Sequence, residues 1–136
     1  MILTDLQYVS INYRHDLDIL ILRWRNTASS DKCKEGYKCA LNLAHDNSAF
    51  YWMVDIRERG LTTSKDHLEY LEQRLKSFSK KNNSNIYIAK LITPKTQNPD
   101  LVLEKKQRHK ALQHINFEYF FTESQAITWL KANQAA

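Results

Sequence analysis

The amino-acid sequence predicts one α/β domain over residues 1–136, built on a single-layer, mostly parallel five-stranded sheet. An N-terminal antiparallel hairpin opens it, and four helices lie mainly on one face. Three observations carry this expectation. Short apolar runs with period-two alternation recur along the chain, and segments with apolar residues at helical spacing separate all but the first two. The resulting order, β-β-α-β-α-β-α-β-α, calls for right-handed crossovers between parallel strands. Two glycines and two prolines in 136 residues leave room for short connections only, around one core of ordinary size.

Tyr8–Tyr13 and Asp18–Arg25 read as the opening strands, with Arg14-His15-Asp16-Leu17 short enough to close a hairpin between them. Ser30 is a good N-cap with Asp31 behind it in the first turn. The helix that follows carries Cys33, Tyr37, Ala40, Leu41 and Ala44 on one stripe. Gly36 shares that stripe; a mid-helix glycine costs about 1 kcal/mol against alanine, so close packing on a sheet is its expected purpose.

Phe50–Ile56 is the third strand. Thr63 with Asp66 approximates a capping box before Leu68, Leu71, Leu75 and Phe78, and Ser77–Asn85 reads as a polar, basic loop. Asn85–Ile92 is the fourth strand, stopped by Thr93-Pro94. Asn98-Pro99-Asp100 sets up a third helix reaching about His114. Ile115–Phe121 is the fifth strand, and Thr122-Glu123-Ser124-Gln125 is a capping box for a last helix through Ala126, Ile127, Trp129 and Leu130.

Alternation assigns Leu20, Leu22, Trp24, Trp52, Val54, Tyr87, Ala89, Leu91, Phe117, Tyr119 and Phe121 to one apolar face. The other face is mixed: Ile19, Ile21, Arg23, Tyr51, Met53, Asp55, Ile88, Lys90, Glu118 and Phe120. A sheet covered on both sides would be apolar on both, so this face is expected to be only partly covered. It is then a surface for a homodimer or another partner, or it is closed by the N-terminal segment. The C-terminal aromatics Phe117, Tyr119, Phe120, Phe121 and Trp129 have two readings, a ligand cavity or the core, and their spacing favours the core.

Composition excludes several classes. The longest uninterrupted apolar run, Ala49–Val54, is far shorter than the roughly 20 residues of a membrane span. Met1-Ile2-Leu3-Thr4-Asp5 lacks the layout of a signal peptide, so a soluble cytoplasmic protein is expected. Cys33 and Cys39 match neither a redox nor a zinc spacing, and His109 and His114 do not share a helix face; no metal and no cofactor are expected. No nucleophile elbow and no glycine-rich phosphate loop occurs, so no enzyme is expected. The net charge of +5 is spread over helices, densest at Lys105-Lys106-Gln107-Arg108-His109-Lys110. That run lacks interleaved aromatics, which sets nucleic acid aside as the third reading.

The most informative segment is the third strand with its turn, Asp55-Ile56-Arg57-Glu58-Arg59-Gly60. Open α/β domains place their working surface at the C-terminal ends of strands. With parallel neighbours, Arg23 and Arg25 gather beside Arg57 and Arg59 around Asp55 and Glu58. Such a group is either a docking edge for an anion or acidic partner, or an ion-pair network tying the loops together.

The hairpin leading into Asp18-Ile-Leu-Ile-Leu-Arg-Trp-Arg25, the strand ending in Asp55, and the closing Phe120-Phe121-Thr122-Glu123 and Ala126-Ile127-Thr128-Trp129-Leu130 resemble the STAS family. The wider anti-anti-sigma-factor-like fold includes Sec14-type lipid-binding domains, and the chain looks most like small stand-alone bacterial STAS-like proteins. The resemblance implies a non-enzymatic regulatory module that binds a protein partner, with a lipid or small-molecule carrier as the alternative. Many members are phosphorylated on a Ser or Thr in the turn or helix start after the strand bearing the Asp, in a pattern close to Asp-Ser-Ser/Thr-Gly. Here Asp55 is followed by Ile56-Arg57-Glu58-Arg59-Gly60 in place of that pattern, and Thr62, Thr63 and Ser64 arrive later as the available acceptors.

Overall fold

The structure is a computed structural model describing residues 2–5, 8–25, 29–58, 65–94 and 114–135. The described strands are β1 (Ile2–Asp5), β2 (Val9–Arg14), β3 (Ile19–Trp24), β4 (Tyr51–Asp55), β5 (Ile86–Leu91) and β6 (Ile115–Phe120). The described helices are α1 (Ser30–Asn47), α2 (Lys65–Asn82) and α3 (Glu123–Ala135). One sheet runs in the order β1-β2-β3-β4-β5-β6. Pairing is antiparallel from β1 to β3 and parallel from β3 to β6.

The five expected strands are therefore present as β2–β6, one antiparallel pair followed by parallel ones. β1 is an addition, pairing Ile2 with Tyr13 and Asp5 with Ser10 at the sheet edge. Four residues without a glycine or proline turn give no periodicity to read, so this strand exists only by its pairing. The helix expected from Asn98 lies outside the described residues as far as residue 113, and His114, its expected end, stands in a turn at φ 67°.

Local chemistry explains the boundaries. Ser29, not Ser30, caps α1: its hydroxyl accepts from the Lys32 N–H at 3.2 Å. The helix ends at Ser48, whose φ of 50° is left-handed and whose N–H returns to the Ala44 and His45 carbonyls. The segment read as a loop from Ser77 is instead the last turn of α2, because Phe78 continues the Leu71/Leu75 stripe into the core. Its polar residues Lys80, Lys81 and Asn82 face solvent, and Asn83 at φ 49° ends the helix. On α3, the Gln125 N–H donates to Thr122 Oγ1 at 3.2 Å, as the capping box predicts.

α1 and α2 pack on one face of the sheet, over Val9, Ile11, Leu20, Leu22, Trp24, Trp52, Val54 and Ile88. Gly36 is buried there: a Cβ on it would lie 2.7 Å from Trp24 Cη2 and 3.2 Å from Val9 Cγ1, so the close approach expected of this glycine is real.

The other face corrects the expectation of helices on one side. α3 lies across it, with Ala126 and Leu130 buried against Ile19, Ile21, Met53, Ala89 and Leu91. Trp129 sits between Tyr87 and Phe120, at centroid distances of 5.9 and 5.7 Å. The apolar residues of α3 close the face that α1 and α2 leave uncovered. The mixed face, expected to meet a homodimer or another partner or to be closed by the N-terminal segment, is covered by α3, while β1 extends the sheet edge.

The phase of β5 is also reversed. Trp52 aligns with Ile88 and Val54 with Lys90, which puts Ile88 and Lys90 under α1 and α2 and puts Tyr87, Ala89 and Leu91 under α3. Both sides of β5 are apolar, so alternation gave no direction except through Lys90. That residue is buried, its ammonium 4.9 Å from the Phe117 ring and 5.9 Å from that of Tyr119. A long aliphatic stem lets lysine occupy an apolar face.

Candidate functional site

Register brings the expected residues together. β3 and β4 run in parallel with Arg23 aligned to Asp55, both on the α3 side of the sheet and at its C-terminal end. Two residues beyond, Arg57 turns back. Its Nε donates to Asp55 Oδ1 at 3.0 Å, its Nη2 to Oδ2 at 2.8 Å, and its backbone N–H to Oδ1 at 3.1 Å. Arg23 Nη1 adds a bond to Asp55 Oδ2 at 3.2 Å. Asp55 is therefore a buried carboxylate supplied by a side chain, a backbone amide and a neighbouring strand.

Burial opposes ionisation of Asp55, but the Arg57 hydrogen bonds and the charges of Arg57 and Arg23 outweigh it and hold the carboxyl below the ordinary range. The same pair raises Arg57, with Glu123 and Glu58 contributing at longer range.

Glu123 is the member that sequence reasoning missed. It stands in the first turn of α3, where the helix dipole favours a negative charge. Its Oε1 accepts from Arg23 Nη1 and lies 3.8 Å from Arg57 Nη2. The available signal is an acidic residue opening the helix after β6, which local pattern assigns to the cap and gives no partner. Placing it beside Arg23 required knowing that α3 crosses this face of the sheet.

The other expected residues take different places. Arg25 follows β3, its N–H donating to the Tyr8 carbonyl at 2.8 Å and its side chain half-buried. Glu58 is exposed in the turn after β4. Arg59, Gly60, Thr62, Thr63 and Ser64 lie outside the described residues.

At the opposite end of the sheet, a groove of about 710 Å³ is lined by polar residues including Lys76, Ser79, Lys80, Asn83, Asn85 and His114. The C-terminal aromatics do not line it. Phe117 and Tyr119 pack into the core under α1 and α2, Phe120 and Trp129 into the core under α3, and Phe121 is exposed beyond β6. Among the described residues, no three His, Cys, Asp or Glu side chains gather as a metal site, and no helix is long and apolar enough to cross a membrane. Cys33 and Cys39 are free thiols, the first buried and the second half-buried.

No protein-family model, curated protein or solved structure matches this chain.

Proposed function

We propose that this protein is a non-enzymatic regulatory or protein-interaction module of STAS-like type, docking a partner at the C-terminal edge of β3 and β4. The observation that carries this reading is the fixed orientation of Arg57. A two-point bond to a buried carboxylate holds a guanidinium whose side chain is still 36% exposed. Arg23 stands beside it at 42% exposure. Two cations set in place at the strand ends form a preorganised recognition surface, because little side-chain entropy remains to be lost on binding.

The hairpin followed by parallel β-α units, and the aspartate ending β4, agree with the STAS resemblance. The test compares wild type with an Arg57→Ala/Arg59→Ala variant, shown by circular dichroism to be folded, in a quantitative pull-down from a bacterial lysate. A partner retained by the first and lost by the second is the expected result. Equal capture by both proteins, or specific capture by neither, would overturn the assignment of the docking edge.

A further inference from the structure

We propose that Glu123 is an internal occupant of a carboxylate-binding site, and that an acidic side chain of a protein partner displaces it from Arg23 and Arg57. This inference rests on the docking reading above and adds the partner's chemistry and the residue that restrains it.

The two carboxylates of the cluster are held in different ways. Asp55 is 12% exposed at its side chain, and both of its oxygens take bonds from Arg57, with Arg23 adding one more. Glu123 comes from another element, is 39% exposed, and engages the arginines through Oε1 alone. Asp55 belongs to the scaffold; Glu123 is the exchangeable ligand.

Charge points to the class of partner. Arg23 and Arg57 pair with Asp55 and Glu123, so displacing Glu123 leaves these ion pairs one positive charge in excess, with only the exposed Glu58 acting on Arg57 from longer range. An incoming carboxylate restores that balance and also takes up the favourable field at the N-terminus of α3. Half-exposed ion pairs contribute little to stability, so exchanging one carboxylate for another costs the fold little. The chain's net charge of +5 attracts an acidic partner to the surface.

The experiment titrates a fluorescent, end-capped hexaglutamate peptide against wild type, Glu123→Gln and Arg57→Gln/Glu123→Gln, each checked for folding by thermal denaturation. Glu123→Gln keeps the side chain's shape and removes its charge. It is expected to bind the peptide about tenfold more tightly than wild type, a difference of about 1.4 kcal/mol. The gain should vanish in the double variant and shrink as salt is raised. A folded Glu123→Gln that binds no tighter, or an equal gain in the double variant, would overturn the proposal. Inorganic phosphate binding the Arg pair in preference to the peptide would overturn the carboxylate assignment. If Glu123→Gln does not fold, Glu123→Asp keeps the charge, shortens its reach, and is expected to show a smaller gain; no gain there counts against the proposal. Capture of an Arg57-dependent partner without a Glu123→Gln gain overturns displacement and leaves the docking module standing. A gain without such a partner supports the carboxylate site and overturns the module.

Discussion

The carboxylate of Asp55 and the guanidinium of Arg57 meet at two points, Nε to Oδ1 at 3.0 Å and Nη2 to Oδ2 at 2.8 Å. The pair closes the turn after β4 on itself, and the Arg57 N–H bonded to Oδ1 completes it. Asp55→Asn keeps the volume and removes the charge, and is expected to cost about 1–3 kcal/mol in urea denaturation. The pH dependence has a defined sign. Asp55 titrates below its ordinary 3.8 in the folded state, so its stabilisation is complete above that value and is lost as pH falls through the folded-state value. The variant should lose that part of the acid sensitivity.

Gly36→Ala tests the contact between α1 and the sheet. In an exposed helix this change gains about 1 kcal/mol. Here the new methyl would meet Trp24 Cη2 at 2.7 Å, and the indole is 1% exposed and packed on the Tyr37 ring. Overpacking of this kind costs about 1–3 kcal/mol, so a net loss of stability is expected, read as a lower Tm.

Tyr13 predicts behaviour in alkali. Its hydroxyl donates to Asp18 Oδ1 at 2.6 Å, and burial together with that bond pushes its pKa from 10.0 up to about 12. A raised folded-state pKa means stability fully present below pH 10 and lost as pH rises toward 12. Tyr13→Phe should cost about 0.5–1.5 kcal/mol at neutral pH. It should also remove one late step from the tyrosinate absorbance titration and flatten the loss of stability over that interval.

Leu130→Ala tests the covering of the second face. Leu130 is fully buried against the sheet, so truncation should cost about 2–5 kcal/mol in denaturant unfolding. The loosened helix should also increase binding of a hydrophobic dye. An unchanged midpoint would mean that α3 does not close this face.

The order of β2–β6 with α1, α2 and α3, the capping box at Thr122, the packing role of Gly36 and the pairing of Asp55 with Arg57 at the end of β4 were legible in the sequence, because each rests on local periodicity or nearest-neighbour chemistry. The phase of β5 was not, since Ile86 and Ile88 alternate with Tyr87, Ala89 and Leu91 and either face satisfies the pattern. Glu123 was legible as a helix-opening acid but not as a partner of Arg23, a residue 100 positions earlier in the chain.

Sequence by itself determined that this chain builds a mostly parallel sheet and delivers Asp55 and Arg57 to its C-terminal end. Tertiary structure alone decided that α3 turns to the second face. That helix is held by Ala126 and Leu130 on the sheet, with Glu123 beside Arg23 at one end and the Gln134 amide donating to the Leu17 and Asp18 carbonyls at the other, at 3.0 and 3.1 Å. Its 13 residues span about 20 Å at 1.5 Å each, close to the length of a six-residue strand. Its two ends therefore reach the two ends of β3. The physical reason is long-range: α3 takes its side from the apolar surface that Ile19, Ile21, Met53, Ala89 and Leu91 present together, residues drawn from three strands, and no local pattern encodes that choice.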